Sequence, residues 1–317
     1  MSRTQRRRST RWLISLVVVL VLLALGAVAA FWRYPIATLV AQERWALRRA
    51  GFERASVAAQ AGPVTYFRAG SGPLVVLIHG ANDTAGSWSR VAGGLAARHR
   101  VVVPDLPGHG ASAPASGPLA VGDLLGGLEA VLLAEAGGQP AALVGNSLGG
   151  FLGLVLATRH ADLVARVVLV NGAALREEHP EAAALLLPRT REEARKAFAA
   201  ILAPSAAPVP GFVLDDLVRR APRSPLARLM AAPAATVDAH ALEGRLASLG
   251  VPVALIWGEA DRILPPDYAR RVQAAIPGSR LTMLPDCGHV PQRECPGPLA
   301  AALDVALAAA PTPGERR

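Results

Sequence analysis

Residues 141–150, AALVGNSLGG, constrain this chain more than any other stretch. Ala141-Ala142-Leu143-Val144 is a short apolar run of the kind that forms a buried strand. Gly145-Asn146-Ser147-Leu148-Gly149 follows, a G-x-S-x-G, and residues 151–157 are apolar enough to run on as a helix. Strand, tight turn and helix are the context in which a serine becomes an exposed nucleophile. The reason is steric. A serine at so sharp a turn leaves no room for side chains two positions to either side, so Gly145 and Gly149 let the backbones pass. The hydroxyl then stands clear of the sheet at the start of a helix, where N–H groups favour developing negative charge. The alternative is a glycine-rich β–α turn that contains a serine by chance, and the rest of the chain decides between the two.

The surrounding residues alternate between strand and helix patterns. Residues 56–60 and 63–69 alternate enough to open the fold as two strands, and Gly70-Ser71-Gly72-Pro73 is a turn. Residues 74–78 (LVVLI) are a fully apolar strand ending in His79-Gly80-Ala81-Asn82. Residues 100–104 form another, ending in Asp105-Leu106-Pro107-Gly108-His109-Gly110-Ala111-Ser112. A helical stretch, 121–135, precedes the central strand, and 164–170 supply a sixth strand. Continuous apolar strands alternating with helices mean an α/β fold, with a mostly parallel sheet covered on both faces. The alternation then stops. Residues 173–249 read as helices (182–187, 191–202, 213–220, 225–230) and proline-rich loops. Such an insertion, on the side where strands end, predicts a lid. Alternation resumes with strand 251–257, the loop Gly258-Glu259-Ala260-Asp261, helix 267–275 and strand 280–284. The turn Pro285-Asp286-Cys287-Gly288-His289 and helix 297–309 complete the pattern.

The amino-terminal end has a different character. Residues 12–32 carry no charge over about 20 positions, enough to cross a bilayer as a helix, with tryptophans at both ends. Two readings stay open: an uncleaved anchor, or a signal peptide cleaved near Ala27-Val28-Ala29. The run exceeds an ordinary signal core, which favours the anchor. Five arginines in residues 1–11 predict an inside amino terminus and a folded part outside the cytoplasm, although Arg33, Arg44, Arg48 and Arg49 load the other flank. Residues 33–54 place apolar and arginine residues at helical spacing. They suit either a helix on the membrane surface, burying Ile36, Leu39, Val40 and Leu47, or a solvated connector. Much of the net charge of +9 thus flanks an apolar span, which argues for a membrane and against a nucleic-acid partner. Cys287 and Cys295 are too few for a disulfide framework; pairing outside the cytoplasm and two unpaired thiols both stay open. No C-x-x-C or H-E-x-x-H occurs, and no metal site is expected.

In an open α/β sheet, ligands collect beyond the carboxyl ends of the strands. Ser147, Asp261 and His289 fall there in that order, the order expected of an elbow-type hydrolase. A serine hydroxyl is a poor nucleophile until a base takes its proton, and histidine can take and return one near neutral pH. The imidazolium so formed needs a buried carboxylate to orient and stabilise it. His289 follows a strand and a Cys-Gly turn and is the expected base. His79 is expected to shape the loop after its strand and His109 to hold a turn. His160, His179 and His240 read as surface or lid residues, and His99 lies at the far end of a strand. Asp261 is preferred over Glu259 because it lies further into its loop, where it can turn back to the base. Asp286 is the third choice, and Asp105 is expected to hold its own turn. Two N–H donors for an oxyanion are expected from Leu148, after the serine, and from Ala81.

Together these residues give a resemblance. From about residue 63 to 309 the chain resembles the α/β-hydrolase fold superfamily, as a serine hydrolase. His79-Gly80, DLPGHGAS at 105–112, GNSLGG at 145–150, WGEAD at 257–261 and DCGH at 286–289 match its landmarks in order. The apolar span, the lid and the Ile256-Trp257-Gly258 and Cys287-Gly288-His289 segments are also similar to the membrane-anchored monoacylglycerol-lipase branch. The resemblance implies ester hydrolysis through an acyl-enzyme, with no cofactor. A serine in place of aspartate argues against haloalkane dehalogenases and epoxide hydrolases. HGAND departs from the HGSGPG-like loop of the carbon–carbon bond hydrolases, although GNSLGG resembles theirs. The expected organisation is a basic segment (1–11), a transmembrane helix or signal anchor (12–32) and a juxtamembrane segment (33–60). The hydrolase core follows in two parts (61–172 and 250–310) around a helical lid (173–249), with a tail (311–317). The expected function is cleavage of a small-molecule or lipid ester, such as a monoacylglycerol, by a membrane-attached enzyme. The rivals are a hydrolase of carbon–carbon bonds in diketones and a catalytically silent binding protein.

Overall fold

The apolar runs around Ser147 become neighbours in one sheet. The computed structural model describes residues 3–175, 185–233 and 239–308. Its strands are β1 (Glu53–Val57), β2 (Val64–Ala69), β3 (Leu74–Ile78), β4 (Arg100–Pro104), β5 (Ala141–Ser147), β6 (Val164–Gly172), β7 (Val253–Gly258) and β8 (Arg280–Leu284). They lie in the order β1-β2-β4-β3-β5-β6-β7-β8. β2 is antiparallel to β1 and β4, and all other neighbours are parallel. β5 therefore sits between β3 and β6, and the loops after these three strands meet at one edge.

The helices are α1 (Arg3–Arg33), α2 (Pro35–Arg49), α3 (Ser89–Ala96), α4 (Val121–Glu135), α5 (Leu148–Arg159) and α6 (Arg191–Ile201). After them come α7 (Gly211–Arg220), α8 (Pro225–Met230), α9 (Pro266–Ala275), α10 (Pro291–Glu294) and α11 (Pro296–Ala308). Strand side chains alternate between two cores. Val76, Ile78, Leu143, Leu169 and Leu255 pack with α4, α5 and α9. Val75, Leu77, Val144, Val170 and Ile256 pack with α3, α11 and the end of α2. Burial on both faces is why these strands read as unbroken apolar runs.

The first strand and α3 differ from expectation. The first strand is Glu53–Val57, not 56–60, and it pairs Glu53 with Arg68 through Val57 with Val64. Gly51, at φ +86°, ends α2 early, the chain extends at once, and residues 58–62 form the turn. α3 was not legible, because Gly93 and Gly94 dilute a short pattern whose buried residues are Val91, Ala92 and Leu95. Among the described residues, α6, α7 and α8 fill the insertion between β6 and β7, with no strand. Residues 182–184 of the expected helix 182–187, His179 and the tail 311–317 lie outside the described residues.

At the amino terminus, residues Ser15–Arg33 of α1 are apolar, unburied and long enough to cross a membrane. Pro35, which has no N–H to donate, separates α1 from α2. The expected membrane-facing set on α2 is not what the structure presents. Leu47 is fully buried in the protein core, Ile36 and Val40 are half-buried, and only Leu39 is exposed. Burying one leucine is worth about 1.5–3 kcal/mol, so α2 is part of the folded domain, packed on α3, α7 and the turn Ala85–Trp88.

Candidate active site

Ser147 ends β5 at φ +51°, ψ −119° and caps the start of α5. A left-handed φ at a non-glycine residue costs about 1–3 kcal/mol, and close packing holds it. A Cβ on Gly145 would stand 2.3 Å from the carbonyl of Gly149. One on Gly149 would stand 2.5 Å from Ile78 O. Neither position admits a side chain, so β5 can turn directly into α5 beside the end of β3.

The loop after β3 lies over the serine: a Cβ on Gly80 would be 3.1 Å from Ser147 Cβ. His79 locks this loop. Its Nε2 accepts from the Leu106 N–H at 3.0 Å, so the ring proton sits on Nδ1, which donates to Gly80 O at 2.8 Å. Burial, outweighing the charges of Asp83 and Asp105, lowers the His79 pKa below its ordinary value, and the neutral ring keeps both bonds. Among the described residues, no hydrogen bond outside those within helices and strands takes up the N–H of Ala81 or of Leu148. Leu148 follows the serine in the chain, and Ala81 follows Gly80, which approaches Ser147.

Asp261 and His289 meet directly. His289 Nδ1 donates to Asp261 Oδ2 at 2.8 Å, with both side chains buried. Asp261 is held by three further donors: Asn171 Nδ2 at 2.6 Å on Oδ2, and the N–H groups of Ile263 (2.8 Å) and Leu264 (2.9 Å) on Oδ1. In the neutral ring this leaves Nε2 of His289 as the acceptor. Ser147 joins the pair through its neighbour rather than by a hydrogen bond of its own. The Asn146 amide donates to His289 O at 3.0 Å and to Val170 O at 2.9 Å, and its oxygen accepts from Gln292 Nε2 at 3.1 Å. Cys287 and Cys295 form a disulfide that brackets His289.

The rival residues are elsewhere engaged. Glu259 is exposed. Asp286 is exposed and accepts from Ser205 Oγ. Asp105 accepts from Ala85 N, Ala111 N and Arg44, holding its own turn. The buried His109 donates to Pro107 O from Nδ1, and burial lowers its pKa to about 3. His99, His160 and His240 bond to Leu95 O, Glu129 and Arg159, away from this cluster.

Sequence reading missed Asn146 and Asn171. Asn171, at φ +47°, accepts from Gly258 N at 3.2 Å while donating to Asp261, so one amide joins the ends of β6 and β7. The usable signal was a polar residue at the carboxyl end of each buried strand, where an amide must find partners. Among the described residues no cluster of three His, Cys, Asp or Glu side chains could hold a metal ion.

The model of the alpha/beta hydrolase family matches residues 75–302. An uncharacterized protein of Mycobacterium tuberculosis is 31% identical over 256 residues, covering 72% of this chain and 73% of its own. A pimeloyl-[acyl-carrier protein] methyl ester esterase of Chromobacterium violaceum is 34% identical over 239 residues, covering 70% and 89%. Among solved structures, a membrane phospholipase A described as a bacterial virulence factor superposes with a TM-score of 0.71 at 27% identity. It covers 94% of this chain and 98% of its own.

Proposed function

The chain belongs to the alpha/beta hydrolase family, and on that premise we propose that it is a membrane-attached serine hydrolase cleaving lipid-like carboxylic esters, such as monoacylglycerols. The observation that carries the reading is the buried Asp261–His289 hydrogen bond, tied through Asn146 to the strained Ser147 turn. In this reading His289 Nε2 takes the Ser147 proton as Oγ attacks the ester carbonyl. Asp261 keeps Nδ1 protonated and steadies the imidazolium. The N–H groups of Ala81 and Leu148 stabilise the tetrahedral oxyanion, a contribution of about 3–4 kcal/mol per donor. His289 returns the proton to the leaving alcohol, and water then cleaves the acyl-enzyme by the same steps. No cofactor takes part.

Three features support a lipid-like substrate in an extracytoplasmic setting. α1 is an unburied apolar helix, and the arginines before it favour an inside amino terminus. The Cys287–Cys295 disulfide suits an oxidising compartment. α6–α8 act as the lid, and α7 meets the anchor: Phe212 packs 4.5 Å from the Trp32 ring and 5.5 Å from Phe31, ring centroid to centroid. The likeness to a membrane phospholipase A reaches into the amino-terminal helices and points the same way.

The test is product release from esters of increasing acyl length, including a monoacylglycerol and a lysophospholipid, using residues 33–317 beside Ser147→Ala. Activity that rises with chain length and vanishes in the variant is expected. Preference for short water-soluble esters would remove the lipid assignment. Labelling of Ser147 by a fluorophosphonate without turnover of any ester would remove the ester class and bring diketones forward.

A further inference from the structure

Residues 33–54 were expected to lie on the membrane or to connect, and the site described above makes no use of them. The structure sends two consecutive α2 side chains to loops at the strand ends. Glu43 meets Arg293 through two bonds, Nε to Oε1 at 2.7 Å and Nη2 to Oε2 at 3.0 Å. The same guanidinium meets Asp83 through two more, Nη1 to Oδ2 at 2.9 Å and Nη2 to Oδ1 at 2.7 Å. Both carboxylate side chains are 11% exposed. Arg44 reaches Asp105 Oδ2 at 2.5 Å, at the mouth of the loop after β4.

The positions of these groups give them meaning. Asp83 lies two residues beyond Ala81, and its N–H bonds back to Gly80 O. Its Oδ1 also accepts from Thr84 N. Arg293 lies four residues beyond His289, on α10, inside the span closed by the disulfide. The helix also comes very close: a Cβ on Gly86 would stand 2.8 Å from Glu43 Cβ. Burial works against the charge of Arg293, yet Asp83 and Glu43 outweigh it and hold the pKa above its ordinary value. Burial likewise opposes the Asp83 charge, and Arg293 reverses the balance and lowers its pKa. A planar guanidinium that bonds two carboxylates in forks fixes relative orientation as well as distance.

We propose that α2 is a positioning element of the active site: Glu43, through Arg293, sets the Asp83 loop that carries the Ala81 N–H and the α10 segment that follows His289. The inference rests on the serine hydrolase reading. The membrane anchor is thus continuous with a helix that braces two parts of the site, and Glu43 touches no substrate.

The test uses the full chain in detergent micelles, with Glu43→Ala, Glu43→Gln, Glu43→Asp and Arg293→Lys. Each is measured for kcat and KM on a soluble p-nitrophenyl ester, for the fluorophosphonate labelling rate of Ser147, and for Tm. A loop displaced by a fraction of an ångström costs roughly 10–100-fold in rate. That loss is expected in kcat and labelling rate for Glu43→Ala and Arg293→Lys, with KM changed less than about twofold and partial rescue in Glu43→Asp. Should Glu43→Ala not fold, Glu43→Gln, which keeps the shape and removes the charge, decides. Wild-type rates in the folded variants, or a loss that only follows the folded fraction, overturn the inference. A wild type that resists the fluorophosphonate overturns the hydrolase reading, and this inference with it.

Discussion

Asp261→Asn is the sharpest probe of the site, because all four groups that face this carboxylate are donors. Oδ1 accepts from Ile263 N and Leu264 N, and Oδ2 from Asn171 Nδ2 and His289 Nδ1. An amide has one accepting oxygen. If that oxygen serves the two backbone N–H groups, the NH2 faces Asn171 and His289. Asn171 cannot turn to offer its oxygen without releasing Gly258 N, so one N–H is left unmatched at a cost of about 1–3 kcal/mol. The imidazole can adapt only by moving its proton to Nε2, and an Nε2–H cannot take a proton from Ser147. The comparable carboxylate-to-amide change in a serine protease lowers kcat about 10⁴-fold, or roughly 5 kcal/mol of barrier. The expected result is a loss of that order in kcat on a p-nitrophenyl ester, with KM little altered, and a destabilisation of about 1–3 kcal/mol in urea unfolding. Glu259→Gln and Asp286→Asn, the exposed rivals, are expected to keep full activity. Activity of Asp261→Asn within about tenfold of wild type would refute the argument, since His289 would then draw its orientation from some other group.

Gly149→Ala drives a Cβ to 2.5 Å from Ile78 O and 2.7 Å from His79 O. It is expected to cost about 1–3 kcal/mol or more in urea unfolding, and unchanged stability would show that the turn can relax. The buried His109 has its pKa lowered from 6.5 to about 3. The unfolded chain therefore binds that proton first as pH falls. The stability is whole above pH 6.5 and drains towards pH 3, by up to about 1.4 kcal/mol per pH unit. His79, also lowered by burial, adds in the same direction. Tm between pH 7 and pH 4 should fall, less steeply in His109→Gln, and a flat Tm contradicts the account. Reducing Cys287–Cys295, which are 8 residues apart, should cost about 2.5 kcal/mol by the loop-entropy estimate. Tm with and without reductant measures it, and an unchanged Tm argues against the bond contributing to stability.

Legibility in the sequence followed burial. Strands 74–78, 100–104 and 280–284 were bounded from the sequence as the structure has them, because glycine, proline or charge interrupts each apolar run. β1 was misplaced because it lies at the sheet edge with no buried residue, so it has no apolar pattern to find. Asp261 and His289 were legible as a pair from chain order and loop position. Asn171 was not, because the apolar signal of β6 stops at Val170, one residue before the amide that orients the acid.

Helix α2 shows where periodicity runs out. Of the expected set Ile36, Leu39, Val40 and Leu47, the structure buries Leu47, half-buries Ile36 and Val40 and leaves Leu39 exposed. Periodicity is the same whether the cover is lipid or protein. What distinguishes the two is the polar side of the contact. A helix lying in headgroups has no need of Glu43, whereas one packed on protein can place a carboxylate opposite a specific arginine. That arginine is 250 residues away, beyond any local window, so the pair exists only once β3, β8 and α10 have brought their loops together. The same holds for Asp216 of α7, which accepts from the Ile36 N–H at the start of α2. An acid with no partner nearby in the chain, in an otherwise apolar and basic helix, is therefore the cue to seek a distant protein partner first.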